Sequence, residues 1–383
     1  MKPKLLFVSA ISPFPTDSGG SVRTWHTLDN LAKYFSIYFI SFKPLAYELN
    51  ETEKKWLKEK TVFYHFVELI DQRRVGDFFS NGQPFWFTPW YSDEFKLIIR
   101  NLIIKEKIEK IQIDFTQLLY LFNYLPKQSQ KIFVAHDIST VSFARRAMEA
   151  KKIKRRMLFL GLCWQIWWYE KKYLSKYNLV LAMSQNDAQI LKEDFNVKNI
   201  LVIPNGIDQV KRIDKINENN KASFDLGYIG AFSHPPNEEA VKFFITKIAP
   251  ILEKNNFDYN FYYAGKNDSQ KFQQFIKEAQ LKQPERIINL GFVEKTEEFY
   301  QKTNCLITPI FSGSGTRLKI LEALGFGLPV ISSTIGAEGI NLNSAQLKIA
   351  NEPKEFYQKI VETKKEIQKN VAYDNCEIME KYF

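Results

Sequence analysis

Cysteine is scarce in this chain of 383 residues, which contains three. Cys163, Cys305 and Cys376 are odd in number, widely spaced and set in apolar or helical surroundings. Disulfide frameworks and zinc sites need cysteines in pairs or at short, fixed spacings, so the sequence excludes both. This cysteine usage predicts a protein of a reducing compartment, and hence a cytoplasmic location.

The sequence also lacks a segment suited to crossing a membrane. Its tryptophan-rich part, residues 158–168, holds eleven mostly apolar residues, whereas a spanning helix needs about 20. The start, KPKLLFVSAISPFP, has an apolar run, but Pro13 and Pro15 follow and no small-residue cleavage site is evident. We interpret this start as a first strand and not as a signal peptide.

Three recognition patterns are missing as well. The dinucleotide fingerprint G-x-G-x-x-G is absent, no DxD-like pair is positioned to hold a divalent ion, and no DNA- or RNA-binding motif is present. The sequence therefore predicts no metal, no other cofactor and no nucleic-acid partner.

Positive charge, in contrast, is in excess, with a net charge of +10. Between Arg145 and Lys176, ten basic residues stand against Glu149 and Glu170, so this predicted helical segment carries most of the excess. A basic helix with tryptophan on its apolar side can lie on an anionic membrane surface. Alternatively, the tryptophans pack in the core and the basic residues form a solvated face.

The length suits two domains of roughly 150–200 residues each. Short apolar runs alternate with amphipathic segments in both halves, which predicts α/β domains with buried parallel strands. The predicted domains are residues 1–205 and 206–360, followed by a C-terminal helix over 361–383. The polar stretch 211–222 is the best linker candidate.

In the first predicted domain, the ends of two strands carry candidate ligand-binding residues. The carboxyl ends of parallel strands form the ligand edge of a doubly wound sheet. A loop and then a helix predicted from Ser21 follow the strand Lys4–Ser9, and the strand of residues 131–136 ends in a histidine. The candidates at these positions are Gly19, Gly20, Arg23, His136 and Asp137.

In the second predicted domain, three strands end in Gly230, Gly265 and Gly291, where the missing side chain lets a ligand approach the backbone. A further unit, Pro309–Ser333, combines a strand, a loop of small residues, a helix and another strand.

Thr316 is predicted to cap the helix of this unit. The free N–H groups of the helix, together with Arg317 and Lys319, favour a phosphate or diphosphate. Glu322 lies within about two turns of the phosphate end, where it can accept hydrogen bonds from sugar hydroxyls. The alternatives are an ordinary turn with solvated basic residues and an exposed Glu322 paired with Lys319.

The stretch PIFSGSGTRLKILEALGFGLPVISS, residues 309–333, resembles the donor-site signature of family 4 (group 1) glycosyltransferases. The segment Asn-Gly-Ile-Asp at 205–208 is similar to a junction motif of the same family. The resemblance implies the GT-B fold, in which two Rossmann-like α/β domains face a cleft, and a retaining transfer from a nucleotide-diphosphate sugar. The family has two glutamates with seven residues between them; the downstream one is Glu322, whereas Ser314 replaces the upstream one.

The resemblance also implies roles for individual residues. Glu322 would hold the ribose, His136 would contact the donor sugar, and Arg317 and Lys319 would stabilise the leaving diphosphate. The implied donor-binding residues are Gly19, Gly20, Gly230, Gly265, Phe292, Val293, Gly313, Ser314, Gly315 and Thr316. The C-terminal helix would cross back onto the first domain. The basic segment would reach a lipid-linked acceptor at the inner face of a membrane.

The sequence thus predicts a metal-independent, retaining glycosyltransferase of cell-surface polysaccharide or glycoconjugate synthesis that uses a glycan or lipid-linked acceptor. Two alternatives remain. One is a nucleotide-sugar epimerase of the same architecture, which the missing upstream glutamate allows. The other is a non-catalytic basic scaffold that binds a membrane or a nucleic acid.

Overall fold

The structure is a computed structural model, and it describes residues 2–16, 18–71, 82–150, 152–204, 206, 223–266, 269–283, 285–313, 316–340 and 345–369. The chain divides into two compact units, Met1–Pro204 and Asn205–Phe383. The predicted linker 211–222 lies outside the described residues. The segment 361–383 is described only as far as residue 369, so its predicted crossing to the first domain stays a prediction.

The first unit is built on a seven-stranded sheet in the order β3-β2-β1-β4-β5-β6-β7. All its neighbouring strands pair in parallel. The strands are β1 (Lys4–Ser9), β2 (Ser36–Pro44), β3 (Phe63–Leu69), β4 (Lys110–Asp114), β5 (Gln130–Ala135), β6 (Leu179–Ala182) and β7 (Ile200–Val202). The α-helices are α1 (Gly19–Leu31), α2 (Glu51–Lys60), α3 (Asp93–Glu106), α4 (Ser139–Glu149), α5 (Ile153–Tyr173) and α6 (Gln185–Glu193). Short 3₁₀-helices cover Phe85–Trp90, Thr116–Tyr124 and Leu174–Lys176.

The continuous apolar sequence of β1 explains how this sheet is covered. Leu6 and Val8 belong to one buried apolar cluster, whereas Leu5 and Phe7 belong to another. Successive side chains of a strand point to opposite faces, so both faces of the sheet are packed. Strand order reverses at β1, and the edge between β1 and β4 is the switch point where ligands bind in such sheets.

The second unit repeats this order in a six-stranded parallel sheet, β10-β9-β8-β11-β12-β13. Its strands are β8 (Phe224–Ile229), β9 (Tyr259–Ala264), β10 (Ile287–Asn289), β11 (Cys305–Thr308), β12 (Val330–Ser332) and β13 (Leu347–Ile349). Its α-helices are α7 (Pro235–Phe243), α8 (Ala249–Lys254), α9 (Gln270–Lys282), α10 (Thr296–Lys302), α11 (Leu318–Gly325) and α12 (Pro353–Gln368), with a π-helical turn over Phe244–Ile248. The switch point here lies between β8 and β11. The prediction of α/β domains with doubly wound parallel sheets is confirmed.

Some predicted helix boundaries were wrong. Gly19 and Gly20 do not precede the first helix but begin it, because the Ser18 side chain accepts the backbone N–H of Ser21 and caps the helix earlier. The segment predicted as one long helix, residues 145–177, is instead parts of α4 and α5.

The break between α4 and α5 lets one helix cap the other. Helix α4 has no side-chain cap of its own at Ile138. The carboxylate of Glu170, a buried residue of α5, instead accepts the backbone N–H groups of Ser139 and Thr140 at 3.0 and 3.2 Å, as well as the Thr140 hydroxyl. A negative charge at a helix N-terminus satisfies free N–H groups and interacts favourably with the helix dipole.

Candidate functional site

The carboxyl edge of the second sheet brings several predicted residues together at its switch point. Gly230 follows β8, and α11 begins ten residues after β11 ends. Lys319 lies in the first turn of α11, and its ammonium donates to the Tyr228 hydroxyl at 3.0 Å and to the Asn237 side-chain oxygen at 2.9 Å. The same ammonium lies 4.2 Å from the centre of the Tyr228 ring. Lys319 is therefore held against the end of β8 and is not the solvated lysine of the alternative interpretation.

Glycine at position 230 is required by this arrangement. A Cβ atom added to Gly230 would lie 2.5 Å from the Lys319 ammonium and 3.0 Å from the Asn237 side chain. The close approach of the ammonium to the backbone thus depends on the missing side chain.

The electrostatics of Lys319 are unusual for a lysine. Burial, the largest influence, and the neighbouring Arg317 charge together lower its pKa to about 7, while the Glu322 charge acts in the opposite direction. A nearby anion stabilises the charged form of a buried lysine, because it replaces the hydration that the ammonium has lost.

Glu322 lies one turn further along α11. The Tyr300 hydroxyl donates to the Glu322 carboxylate at 3.1 Å, and its oxygen also lies 3.0 Å from the Lys319 carbonyl oxygen. Tyr300 is fully buried, and burial together with Glu322 raises its pKa well above the ordinary value, so it remains a donor. The Glu322 carboxylate is half-buried and is held by the buried Tyr300 hydroxyl. It is therefore not the exposed glutamate, paired with Lys319, of the alternative interpretation.

The loop before α11 differs from the prediction. Arg317, not Thr316, is the N-cap residue. Among the described residues, no side chain caps α11 and the buried Thr316 hydroxyl finds no hydrogen-bond partner. The predicted Thr316 cap was wrong because the helix begins at Leu318, two residues later. The Arg317 guanidinium donates to the Ser312 carbonyl oxygen at 3.2 Å and would lie 3.2 Å from a Cβ on Gly313, whose φ is +89°. Ser314 and Gly315 lie outside the described residues.

The three glycine-ended strands of the second unit meet at the same edge. Gly230 donates its N–H to the Ala264 carbonyl at 2.9 Å, and Gly265 donates to the Gly291 carbonyl at 2.8 Å. A Cβ on Gly265 would lie 1.9 Å from the Gly230 carbonyl oxygen, so this position tolerates only glycine. Beyond them, Phe292 is 57% exposed with the Lys266 ammonium 4.4 Å from its ring centre, and Val293 is partly buried.

In the first unit, His136 follows β5 and is paired with Asp114, the last residue of β4. The His136 Nε2 atom lies 2.9 Å from a carboxylate oxygen of Asp114, and the His136 ring stacks on Phe115 at 3.9 Å. Asp114 is fully buried and also accepts the Gln112 side-chain N–H at 2.9 Å. Asp114 thus holds one ring nitrogen of His136 and Phe115 covers one face of the ring, while 11% of the side chain is exposed.

Asp137, the candidate next to His136, is hydrogen-bonded to helix α4. Its carboxylate accepts the hydroxyls of Ser139 and Ser142 at 3.4 and 3.2 Å. The carboxylate that orients His136 is Asp114, which sequence reasoning missed. The sequence could have indicated this role, because Asp114 ends the strand next to β1 at the switch point.

The loop and helix after β1 place Arg23 at the same edge. Its guanidinium donates to the Pro204 carbonyl at 3.4 Å, and its buried Nε has no hydrogen-bond partner in the part of the chain that the structure describes. Burial lowers the pKa of Arg23, and the Asp114 charge opposes that change. Gly20 lies where a Cβ would meet the Ile11 side chain at 2.6 Å, whereas a Cβ on Gly19 would meet open space. Across the described parts of both units, no group of three or more His, Cys, Asp or Glu side chains is arranged to hold a metal ion.

Comparisons with known proteins agree with this architecture. Residues 223–365 match the family model described as "Glycosyl transferases group 1". A curated relative from Klebsiella pneumoniae, "Uncharacterized 44.6 kDa protein in cps region", is 22% identical over 391 residues, covering 97% of this chain and 94% of the relative.

Two solved structures share the fold over nearly the full chain. A glycosyltransferase from Rickettsia africae is similar with a TM-score of 0.64 and 13% identity, covering 100% of this chain and 95% of that protein. HepE of Anabaena, in complex with UDP and glucose, is similar with a TM-score of 0.61 and 13% identity, covering 99% and 95%. The predicted fold class, GT-B with two Rossmann-like domains, is confirmed, and residues 223–365 of the second unit are similar to the group 1 glycosyltransferase family model.

Proposed function

We propose that this chain is a retaining glycosyltransferase that moves a sugar from a nucleotide-diphosphate sugar to a saccharide or lipid-linked acceptor in cell-surface polysaccharide or glycoconjugate synthesis. The observation that carries the proposal is the group formed by Gly230, Lys319 and Glu322. These residues converge at the switch point of the second sheet, inside the segment that matches the glycosyltransferase model.

The diphosphate of the donor is assigned to the start of α11. This helix begins without a side-chain cap, and helix N–H groups are an anion site when a ligand takes the place of a cap. Lys319 and Arg317 supply positive charge beside it and stabilise the negative charge that develops on the leaving diphosphate. The chemistry of this site needs no metal ion.

The nucleoside is assigned to Glu322 and to the strand ends around it. Glu322 accepts hydrogen bonds from the ribose hydroxyls, and the Tyr300 hydroxyl fixes the direction of its carboxylate. The base lies against the backbone near Phe292 and Val293. UDP is the first nucleotide to test, because HepE of Anabaena was solved with UDP and glucose.

The acceptor is assigned to the first unit. His136 of the same unit contacts the donor sugar, because its ring is fixed by Asp114 and Phe115 and partly exposed. In a retaining transfer without a covalent nucleophile, the leaving phosphate deprotonates the acceptor hydroxyl on the face from which it departs. The bond between the anomeric carbon and the phosphate oxygen breaks as the bond to the acceptor oxygen forms.

Nucleotide binding tests the donor assignment directly. We expect one of UDP, GDP, dTDP and ADP to raise the melting temperature without added metal, and Glu322→Ala to abolish the shift. Glu278→Ala is the matched control, because Glu278 is an exposed glutamate of α9 that pairs with Gln274. No shift with any nucleotide would contradict the donor site. Conversion of a nucleotide sugar to its epimer without an acceptor would favour the epimerase instead.

A further inference from the structure

Helix α5 exposes a stripe of large apolar side chains to solvent. Six large apolar residues of α5 are about half or more exposed. Leu158, at 56%, lies apart from the others, and the remaining five form the stripe: Ile153 at 69%, Met157 at 62%, Leu160 at 47%, Trp164 at 55% and Trp168 at 51%. At 3.6 residues per turn, these positions fall within roughly 80° of one another and extend over about 22 Å. The alternative that Trp164 and Trp168 pack in the core is therefore wrong.

The opposite face of the same helix is committed to the core. Leu162, Ile166, Tyr169 and Tyr173 are buried in the main apolar cluster of the first unit. This packing fixes the orientation of α5 about its own axis. The stripe therefore lies on the surface of the folded unit. A contiguous exposed patch of large apolar side chains is typical of an interaction surface.

Basic side chains border the stripe on both sides. Lys154 and Lys172 lie along one edge and Arg156 along the other, and all three are exposed. Lys152 and Arg155 add exposed charge at the N-terminal end. The acidic residue within α5, Glu170, is buried as the cap of α4. The surface around the stripe is therefore strongly positive.

This distribution of charge selects the partner. A second copy of the chain packed on the same stripe would bring two sets of lysines and arginines together, with like charges opposed across the interface. A nucleic acid would match the charge but not a row of aliphatic side chains. An anionic bilayer matches both, since tryptophan favours the headgroup level and basic side chains reach lipid phosphates.

We propose that α5 is a membrane-docking helix that lies along an anionic lipid surface, with Ile153, Met157, Leu160, Trp164 and Trp168 facing the acyl chains. The sequence suggested such contact for the whole basic segment, and the structure narrows it to one face of one helix. The helix lies on the membrane and does not cross it, since no helix in the described ranges is long and apolar enough to span a bilayer. This inference does not rest on glycosyl transfer and is tested without any nucleotide.

Vesicle flotation tests the surface in the full chain. We expect binding to vesicles of phosphatidylglycerol and phosphatidylcholine, little binding to phosphatidylcholine alone, and weaker binding as salt rises. Trp164→Ser/Trp168→Ser should weaken binding by about tenfold. Lys154→Glu/Arg156→Glu/Lys172→Glu should weaken it by about a hundredfold or more.

Matched controls separate the stripe from general effects. Leu97→Ser/Ile104→Ser removes two similarly exposed apolar residues from α3, and Lys247→Glu/Lys254→Glu/Lys271→Glu reverses three exposed lysines of the second unit. Both should bind vesicles like the parent chain. Far-UV circular dichroism and thermal unfolding should be unchanged in the stripe variants, because the altered side chains are exposed.

Tryptophan quenching by brominated lipids gives an independent readout. Trp164→Phe/Trp168→Phe should keep vesicle binding within about threefold and lose most of the quenching. Equal loss of binding in the control variants would overturn the proposal. So would undiminished binding in the stripe variants, or sedimentation showing a dimer that Trp164→Ser/Trp168→Ser dissociates.

Discussion

Lys319 combines two properties that a solvated lysine does not have: fixed hydrogen bonds to Tyr228 and Asn237, and a pKa lowered to about 7. A bound diphosphate would raise this pKa, because the opposite charge favours the ammonium form. Binding at or above pH 7 must then take up a proton, so nucleotide affinity should fall as the pH rises from about 7 toward the pKa of the complex. The expected slope is up to about tenfold per pH unit.

Calorimetry in buffers of different ionisation enthalpy measures that proton uptake directly. Lys319→Met should remove both the uptake and the pH dependence, and should weaken nucleotide binding by about 30-fold, or ~2 kcal/mol. Lys302→Met on α10 is the control for loss of an exposed lysine. A pH dependence that persists in Lys319→Met would assign the proton to another group.

Asp114 is a positioning residue for His136, which it contacts at 2.9 Å from a fully buried site. Asp114→Asn keeps the size of the side chain but removes the charge that fixes the imidazole. We expect kcat for sugar transfer to fall by about tenfold or more while the affinity for the nucleoside diphosphate changes little.

The nitrogen-15 chemical shifts of the His136 ring distinguish this role from a structural one, since they report which nitrogen carries the proton. They should change in Asp114→Asn and stay constant in Asp137→Asn, whose carboxylate accepts hydroxyls of α4 instead. Unchanged His136 shifts in Asp114→Asn would remove the basis for the positioning role.

At the scale of elements, one buried carboxylate holds the junction of α4 and α5. Burial is the largest influence on Glu170 and raises its pKa to about 7, with the Asp137 charge acting in the same direction and hydrogen bonds from Thr140 and Ser139 opposing. The folded-state pKa thus lies above the ordinary value of 4.5. The folded protein binds more protons than the unfolded chain between these values, so stability should increase as the pH falls from about 7 to 4.5.

The size of that effect is about 3 kcal/mol in the free energy of unfolding at full protonation. Glu170→Gln, which mimics the protonated form, should flatten the profile in this window. Glu170→Ala should cost about 2–3 kcal/mol, because it leaves the N–H groups of Ser139 and Thr140 without an acceptor. Denaturant unfolding at pH 5 and pH 8 measures both. An identical pH profile in wild type and Glu170→Gln would contradict this account.

The sequence predicted elements well where the pattern is local and failed where a distant residue decides. The apolar run Lys4–Ser9 became a strand with the predicted bounds, because burial on both faces selects continuous apolar sequence. The break between α4 and α5 was missed, since the cap of α4 comes from Glu170, about 30 residues away. Thr316 was misassigned for a similar reason: a good capping residue does not cap when the loop places the helix start at Leu318.

At the scale of the whole molecule, the same strand order occurs twice. This repetition explains why the sequence could predict which edge of each sheet carries the candidate residues. Each sheet reverses direction beside its first strand, so the residues after that strand and after the fourth come to one edge. Gly230 and Lys319 are far apart in sequence but adjacent for this reason. The pairing of His136 with Asp114, and the exposure of Trp164 and Trp168, depend on side-chain packing that spacing alone does not encode.

The two units have separate apolar clusters, which leads to a prediction about the whole chain. With the partly buried residues packed against them, the clusters of the first unit contain residues from 5 to 202, and those of the second contain residues from 224 to 367. A unit of 150–200 residues with its own core can fold alone. The proposed donor-binding side chains, Arg317, Lys319 and Glu322, all belong to the second unit.

A fragment of residues 205–383 should therefore fold and bind the same nucleoside diphosphate as the full chain, with a Kd within about threefold. Circular dichroism and calorimetry on the fragment measure this, with the fragment 1–204 as the control that should not bind the nucleotide. A folded fragment 205–383 that fails to bind would mean that the first unit supplies part of the donor affinity. Transfer itself should be absent from either fragment, because the proposed reaction uses His136 of the first unit and Lys319 of the second.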